Sequence, residues 1–240
     1  MRGADPPNPR PPGSLRTDTP PRAPIIFVHS MRPHRLPTRT LLTLVLLALA
    51  GACTPSSPAE KGGRYAGIEL EPARPKADFT LTTTSGEPFR FREQTDGHVT
   101  LLFFGYTACP DVCPVHMANI AEALKKVTPG EREKVRVVFV STDPDRDTPE
   151  RIREWLSHFD SSFIGLRGPL SEVHRIEQEF GLAPSSTDAT GPTDTTYAVG
   201  HAAQILAFTP DDSLRVFYPF GTRQQDWAKD LPRLARIGGE

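Results

Sequence analysis

The sequence predicts an α/β sandwich, in which helices cover both faces of a mixed β-sheet. Two apolar runs, residues 99–104 and 135–140, are typical of central strands that are buried on both faces. Apolar residues recur at helical spacing between these runs, so the three segments predict a strand–helix–strand unit with a right-handed crossover. Alternating apolar and polar residues on both sides of this unit predict two flanking hairpins.

The N-terminal elements are read directly from this alternation. Residues 78–82 and 89–91 alternate on either side of a turn at Gly86, which predicts a β-hairpin. The helix after the first central strand ends before Pro129, because proline followed by glycine does not continue a helix. Its apolar positions are Val115, Ile120, Ala123, Leu124 and Val127.

The next elements alternate between helix and strand. A helix is predicted over residues 149–159, with Thr148 or Asp147 as its N-cap. The elements after it are a short strand, a helix closed by Gly181 and a long polar loop, at residues 163–166, 170–180 and 183–195. Loops of this length within a domain are often functional.

The last elements form a second hairpin and a helix. The chain returns through residues 197–201 and 203–208, pairs with 214–218, and enters a helix that a capping box at Thr222 is predicted to start. The order of elements predicts a thioredoxin-like α/β sandwich over residues 77–238, with an added N-terminal β-hairpin and a C-terminal hairpin plus helix.

The beginning of the chain lacks the pattern of a globular domain. Residues 1–30 are rich in proline and arginine, which predicts disorder. Because a signal peptide normally starts at the N-terminus, we expect translation to begin at Met31 and residues 31–53 to be an export signal. Residues 54–76 are rich in Pro, Ser and Gly and are predicted to be a flexible tether.

Cys53 ends a stretch of small residues that resembles a bacterial lipobox, although Ala50 stands where leucine is usual. The alternatives are lipid attachment at Cys53 and ordinary cleavage near Ala52. An unpaired cysteine is a liability in an exported protein, which favours the lipid anchor. The preceding apolar run is shorter than the roughly 20 residues that span a membrane. We therefore expect an exported protein attached to the outer face of the cell membrane.

Charge is distributed unevenly along the chain. Residues 1–53 carry a net charge of +5, and the rest of the chain carries −6. Proteins that bind nucleic acids present a basic face to the phosphates. The acidic balance of the predicted domain therefore argues against a nucleic-acid partner.

Cys109 and Cys113 follow the first central strand and are the only cysteines after Cys53. A strand that runs into a Cys/Pro turn and then a helix places both thiols near a helix N-terminus, where the backbone amides favour the thiolate. With four-residue spacing, the two sulfurs can contact each other or share one ligand. Two interpretations remain open: a redox dithiol, or two ligands of a soft metal such as Cu(I), or Zn(II) if more ligands are added.

Further metal ligands must come from histidine, methionine or carboxylates. His116 and Met117 follow Cys113 on the same helix, whereas His201 lies between a strand and the long polar loop. From the residues alone, His116 and His201 are equal candidates. The remaining histidines of the domain are predicted to be a turn residue and two solvated helix residues, namely His98, His158 and His174.

Three motifs together resemble the SCO/SenC family. They are residues 105–114, residues 141–149 (STDPDRDTP) and residues 199–201 (VGH). The resemblance covers residues 77–235, and it implies a membrane-tethered, thioredoxin-like copper chaperone that helps to assemble the dinuclear copper centre of cytochrome c oxidase. It also implies that Cys109, Cys113 and His201 bind copper, as Cu(I) or Cu(II). The resemblance therefore favours His201 over His116 as the third ligand.

The chain departs from the family pattern at two positions. Gly200 stands where aspartate commonly precedes the histidine, and Ala108 where histidine is frequent. Loss of that carboxylate is expected to weaken the orientation of the His201 imidazole.

Four other residues or pairs near the motifs have predicted supporting, capping or docking roles. Tyr106 and Asp111 are predicted to support the ligands, and Asp147 is predicted to cap a helix or to be solvated. For Asp143 and Arg146, helix capping and docking of a partner both remain open.

Two main functions follow from the cysteine pair. The leading hypothesis is a metallochaperone, not an enzyme, that passes copper to the copper-bearing subunit of cytochrome c oxidase and exchanges metal or electrons with other copper chaperones or thiol reductants. The alternative is a thiol–disulfide oxidoreductase, in which Cys109 attacks and Cys113 resolves, and a disulfide between them is one state of the cycle. A thiol peroxidase is weaker, because Thr107 and Cys109 do not match the spacing of that class.

Overall fold

The computed structural model describes residues 63–191, 194 and 196–238. Residues 1–62 lie outside the described part. The export signal, the lipid anchor at Cys53 and most of the tether fall on these residues and stay predictions. Within the described residues, none of the helices has the length and apolar character needed to cross a membrane.

The described chain contains ten strands and six helices. The strands are β1 (Ile68–Pro75), β2 (Thr80–Thr83), β3 (Pro88–Arg90), β4 (Val99–Gly105), β5 (Val135–Ser141), β6 (Ile164–Arg167), β7 (Ser186–Thr187), β8 (Val199–Gly200), β9 (Ile205–Thr209) and β10 (Ser213–Tyr218). The helices are α1 (Phe91–Gln94), α2 (Val112–Leu124), α3 (Pro129–Glu133), α4 (Pro149–Ser157), α5 (Leu170–Glu179) and α6 (Gln224–Leu234).

Eight strands form one mixed sheet in the order β1-β10-β9-β4-β5-β6-β2-β3. The central strands β4 and β5 are parallel and in register from Val99 opposite Val135 to Gly105 opposite Ser141. Because parallel strands end at the same edge, the loops that follow β4 and β5 lie side by side. β7 and β8 form a separate two-stranded ladder.

Side chains alternate along β4 into two hydrophobic cores, one on each face of the sheet. Leu101 and Phe103 enter the core under α2, α4 and α6, and Leu102 and Phe104 enter the core under α5. Both cores exclude water, since all four side chains are fully buried. The predicted α/β sandwich with a thioredoxin-like arrangement, the two flanking hairpins and the final helix are therefore confirmed.

Several local features differ from the sequence-based prediction, among them β7 inside the predicted polar loop and α1, which starts at Phe91 where a strand was predicted. Residues 68–75, assigned to the tether, form β1, which pairs with β10 and extends the sheet. Thr128 and Glu131 form a capping box that starts α3, where only a helix end was predicted. The capping box predicted at Thr222 does not form, because its hydroxyl donates to the carbonyl of Pro219 and Arg223 is the N-cap.

Candidate metal centre

The two cysteines lie where β4 passes into α2. Cys109 sits in the connecting turn, whose backbone is closed by a hydrogen bond from the Cys109 amide to the Tyr106 carbonyl (3.2 Å). Cys113 lies in the first turn of α2, which begins at Val112 after the N-cap Asp111. The pair is therefore not an i, i+4 pair on a continuous helix. Cys113 is fully buried, whereas Cys109 is half-buried and reaches solvent.

His201 approaches the cysteines from a distant part of the sequence, directly after β8. Its Nε2 lies 3.5 Å from the Cys113 Sγ and 4.0 Å from the Cys109 Sγ. The three ligand atoms all lie within 4.8 Å of one another. A metal bound at ordinary distances, about 2.3 Å to sulfur and about 2.0 Å to nitrogen, would separate sulfur from nitrogen by about 3.5–3.8 Å. The arrangement therefore fits a single small ion held by two sulfurs and one imidazole.

The two thiols differ strongly in acidity. A hydrogen bond from the Cys113 side chain, with the backbone amides of Cys113 and Asp111 and the side chain of His201, lowers the pKa of Cys109 to about 4 against the opposing effect of burial. Burial raises the pKa of Cys113 well above its ordinary value, and the neighbouring Cys109 raises it further. Of the two thiols, Cys109 is therefore the one that ionises first. The predicted activation at a helix N-terminus holds for Cys109 only.

Gly105 allows β4 to pass close to Cys113. A Cβ atom at this position would lie 2.7 Å from the Cys113 Sγ and about as close to the rings of Phe103 and Phe139, at 3.0 and 3.1 Å. Any larger residue would push the sulfur or the strand away. The glycine at the start of the Gly-Tyr-Thr-Ala-Cys segment is therefore a steric requirement of the site.

The His201 ring is held by a backbone carbonyl and by aromatic edges. Its Nδ1 lies 3.0 Å from the Ala202 carbonyl oxygen, so this contact orients the ring with Nε2 toward the two sulfurs. The rings of Phe103 and Tyr106 each lie 5.7 Å away in edge-on contact. The Ala202 carbonyl thus supplies an orienting hydrogen-bond acceptor, and glycine at position 200 has no carboxylate that could do so.

The other ligand candidates are directed elsewhere. His116 is 1% exposed, and its Nε2 lies 2.8 Å from the Ala203 carbonyl, so it supports the His201 segment instead of joining the sulfurs. Met117 is buried in the core. His158 is exposed as expected, but the prediction for His174 is wrong, because it is half-buried and its Nε2 is inaccessible to solvent.

Asp147 is a buried bridge beneath the cysteine turn, and the prediction of a helix cap or a solvated carboxylate is wrong. It is 0% exposed and accepts hydrogen bonds from the Thr107 hydroxyl (2.5 Å) and the Ser141 hydroxyl (2.7 Å). Burial raises its pKa against these hydrogen bonds. Thr148 is the N-cap of α4 instead. Asp147 therefore ties the turn after β4 to the end of β5.

Asp143 and Arg146 form a partly enclosed ion pair, with side chains that are 3% and 13% exposed. They contact Tyr197 on the loop that leads to His201. This burial leaves little of either charge for a partner, which argues against the docking role. Nothing in the sequence identified Tyr197 as their contact, since 51 residues separate it from Arg146.

Of the two residues expected to support the ligands, Tyr106 does so with its side chain. Its hydroxyl contacts the Cys109 sulfur and the Val199 backbone amide, and burial raises its pKa. The Asp111 side chain is exposed and makes no capping hydrogen bond; only its backbone amide reaches Cys109.

Comparisons with known proteins agree with this geometry. The profile of the SCO1/SenC family matches residues 69–236. The chain is 32% identical over 186 residues to a putative copper-binding protein of Stutzerimonas stutzeri, which covers 75% of this chain and 88% of that protein.

Two solved structures share the fold. One is the apo Sco1 protein of Thermus thermophilus (34% identity, TM-score 0.63, 71% of this chain and 96% of that one). The other is ScoI of Bradyrhizobium japonicum with copper bound (31% identity, TM-score 0.57, 66% and 98%). The chain spans 36–60% of the length of the yeast, Arabidopsis thaliana and Rickettsia felis relatives that it also matches.

Proposed function

The chain belongs to the SCO1/SenC family, and on that premise we propose that it is a copper chaperone that binds copper through Cys109, Cys113 and His201. The observation that carries the proposal is the convergence of two sulfurs and the His201 Nε2 within 4.8 Å. Two thiolates and one imidazole are a donor set that suits Cu(I). The copper-bound relative from Bradyrhizobium japonicum supports the choice of metal.

Access to the site suits transfer of the ion. Cys109 and His201 are half-buried, so a partner ligand can approach the metal from solvent, while Cys113 anchors it from the buried side. A partner that offers its own thiolate or imidazole would displace His201 or Cys109 first. The proposed acceptor is the copper-bearing subunit of cytochrome c oxidase, and the proposed location is the outer face of the cell membrane, by an anchor in residues 31–53.

Copper titration of the reduced domain tests the proposal. Competition with a Cu(I) chelator should give one bound ion per chain in the wild type and a large loss of affinity in Cys113→Ser and His201→Ala. His158→Ala is the matched control, because His158 is an exposed histidine on another helix terminus. Unchanged affinity in both site variants would refute the proposal.

The asymmetry of the two thiols favours a second candidate, a thiol–disulfide oxidoreductase. The Cys109 thiolate would attack a disulfide of an exported protein and release one of its thiolates. Cys113 would then lose its proton and attack the Cys109 sulfur, which leaves the domain oxidised and the partner reduced by two electrons. His201→Ala separates the two functions, because it should abolish copper transfer and leave disulfide reduction in place.

A further inference from the structure

His201 lies in a segment without regular structure between β8 and β9, and the ligand sits at its start. Two sets of contacts lie on either side of it along the chain. Four residues before it, Tyr197 is held by Asp143 and Arg146; two residues after it, the Ala203 carbonyl is held by His116. The holding residues come from the loop after β5 and from α2, which belong to the packed sandwich.

The upstream contact is a clamp formed by Asp143, Arg146 and Tyr197. The Tyr197 hydroxyl donates to the Asp143 Oδ1 at 2.6 Å, and the Arg146 Nη1 donates to the Tyr197 carbonyl at 2.8 Å. The Arg146 guanidinium also stacks 3.6 Å from the centre of the Tyr197 ring. The clamp therefore holds both the backbone and the side chain of one residue. Burial and the hydrogen bond to Asp143 raise the pKa of Tyr197 to about 12, so its hydroxyl remains a donor.

The downstream contact uses a fully enclosed side chain. His116 is 1% exposed, lies between the rings of Phe103 and Phe220, and places its Nε2 2.8 Å from the Ala203 carbonyl. Burial lowers the pKa of His116, so the ring stays neutral and can donate one hydrogen bond. This explains a buried histidine beside the cysteines that does not join the candidate ligands.

A ligand on a mobile segment binds metal weakly, because the measured affinity falls in proportion to the fraction of time the ligand is in place. Restraints on both sides of His201 raise that fraction before any metal arrives. We propose that Asp143, Arg146, Tyr197 and His116 are positioning residues that hold His201 ready beside the two cysteines. The proposal rests on copper binding through Cys109, Cys113 and His201.

A double-mutant cycle tests the proposal. Cu(I) affinity is measured by chelator competition for Tyr197→Phe and His116→Leu, each in the wild-type and the His201→Ala background. Tyr197→Phe removes one hydroxyl and keeps the ring. We expect it to weaken Cu(I) binding by about tenfold in the wild type, the range of residues that orient a ligand, and to have no effect in the His201→Ala background. His116→Leu should behave in the same way.

Conservative variants separate positioning from loss of packing. Asp143→Asn keeps an acceptor for the Tyr197 hydroxyl, and His116→Gln keeps a donor for the Ala203 carbonyl, so both should retain most of the affinity. Tyr218→Phe is the matched control, because it deletes a buried tyrosine hydroxyl that donates to Asp230 (3.1 Å) on another part of the fold. It should leave the affinity unchanged.

The outcomes are distinguishable. An effect of Tyr197→Phe that persists in the His201→Ala background, an unchanged affinity in Tyr197→Phe, or an equal loss in Tyr218→Phe would each overturn the positioning role. Failure of the wild type to bind Cu(I), or full binding by Cys113→Ser, would instead refute the copper site itself.

Discussion

The two halves of the candidate site are held in different ways. The cysteine half is local: β4, the turn and α2 are consecutive in sequence, and Cys113 is locked into the core against Gly105. The histidine half is assembled from distant segments, since 88 residues separate His201 from Cys113 and side chains of other elements hold its segment. The difference makes Cys113 the fixed anchor of the candidate site and makes the position of His201 depend on residues outside the site.

The largest effect should come from loss of the anchor. Cys113→Ser is expected to weaken Cu(I) binding by on the order of 1,000-fold, since a soft thiolate is replaced by a hard hydroxyl. His201→Ala should cost less, about 10- to 100-fold, because both thiolates remain. Chelator competition under reducing conditions measures both. A larger loss of Cu(I) affinity in His201→Ala than in the cysteine variant would contradict the role of the cysteine as the anchor.

Substitution of Gly105, where β4 passes close to Cys113, should reduce both the stability of the fold and the affinity for Cu(I). Gly105→Ala places a methyl group against the Cys113 sulfur and the adjoining rings, and overpacking of this kind costs about 1–3 kcal/mol. The control is Gly130→Ala in α3, where nothing lies within 4 Å of the added carbon and alanine favours the helix. Urea unfolding would show the contrast; equal stabilities for the two variants would contradict a tight fit at Gly105.

The support of the histidine half should depend on pH. The folded state lowers the pKa of His116, so the unfolded state binds more protons and stability rises with pH. The stability that neutral His116 contributes is fully present above its unfolded pKa of about 6.5, and it is lost at up to about 1.4 kcal/mol per pH unit as the pH falls toward the folded pKa. His116→Gln removes this dependence.

Chemical unfolding at pH 7.5, 6.5 and 5.5 measures this effect as the difference in stability between wild type and His116→Gln. The difference should be constant near pH 7.5. At pH 5.5 the wild type should have lost stability relative to His116→Gln. A difference that does not change with pH would contradict a neutral, buried His116.

The smallest effect should be that of His201 on the acidity of the Cys109 thiol. Alkylation of Cys109 should be half-maximal near pH 4, and His201→Ala should shift this midpoint upward only slightly, because His201 contributes least among the groups that lower the pKa. A shift of several units would mean that the two halves are not independent. Mass spectrometry of the modified peptide distinguishes Cys109 from the buried Cys113.

Most of the fold follows from local patterns. The apolar runs of β4 and β5, the Gly181 that closes α5 with a φ of +75°, and both hairpins were readable because each depends on neighbours in sequence. β1 escaped prediction because it is an edge strand with five of its eight residues exposed, and its apolar alternation at Ile68 and Leu70 stops at Pro72. Its partner β10 supplies the pairing, and no local signal announces that partner.

The sequence by itself determined the sandwich, the position of the cysteine pair at a strand–helix junction and, through the resemblance of its motifs, His201 as the third ligand candidate. Only the tertiary structure decided that Cys109 is the acidic thiol and Cys113 the buried one, because pKa values depend on burial and on hydrogen bonds that spacing does not reveal. It also decided the roles of His116, Asp147 and Tyr197, since contacts between residues 40 or more positions apart exist only after the chain has folded.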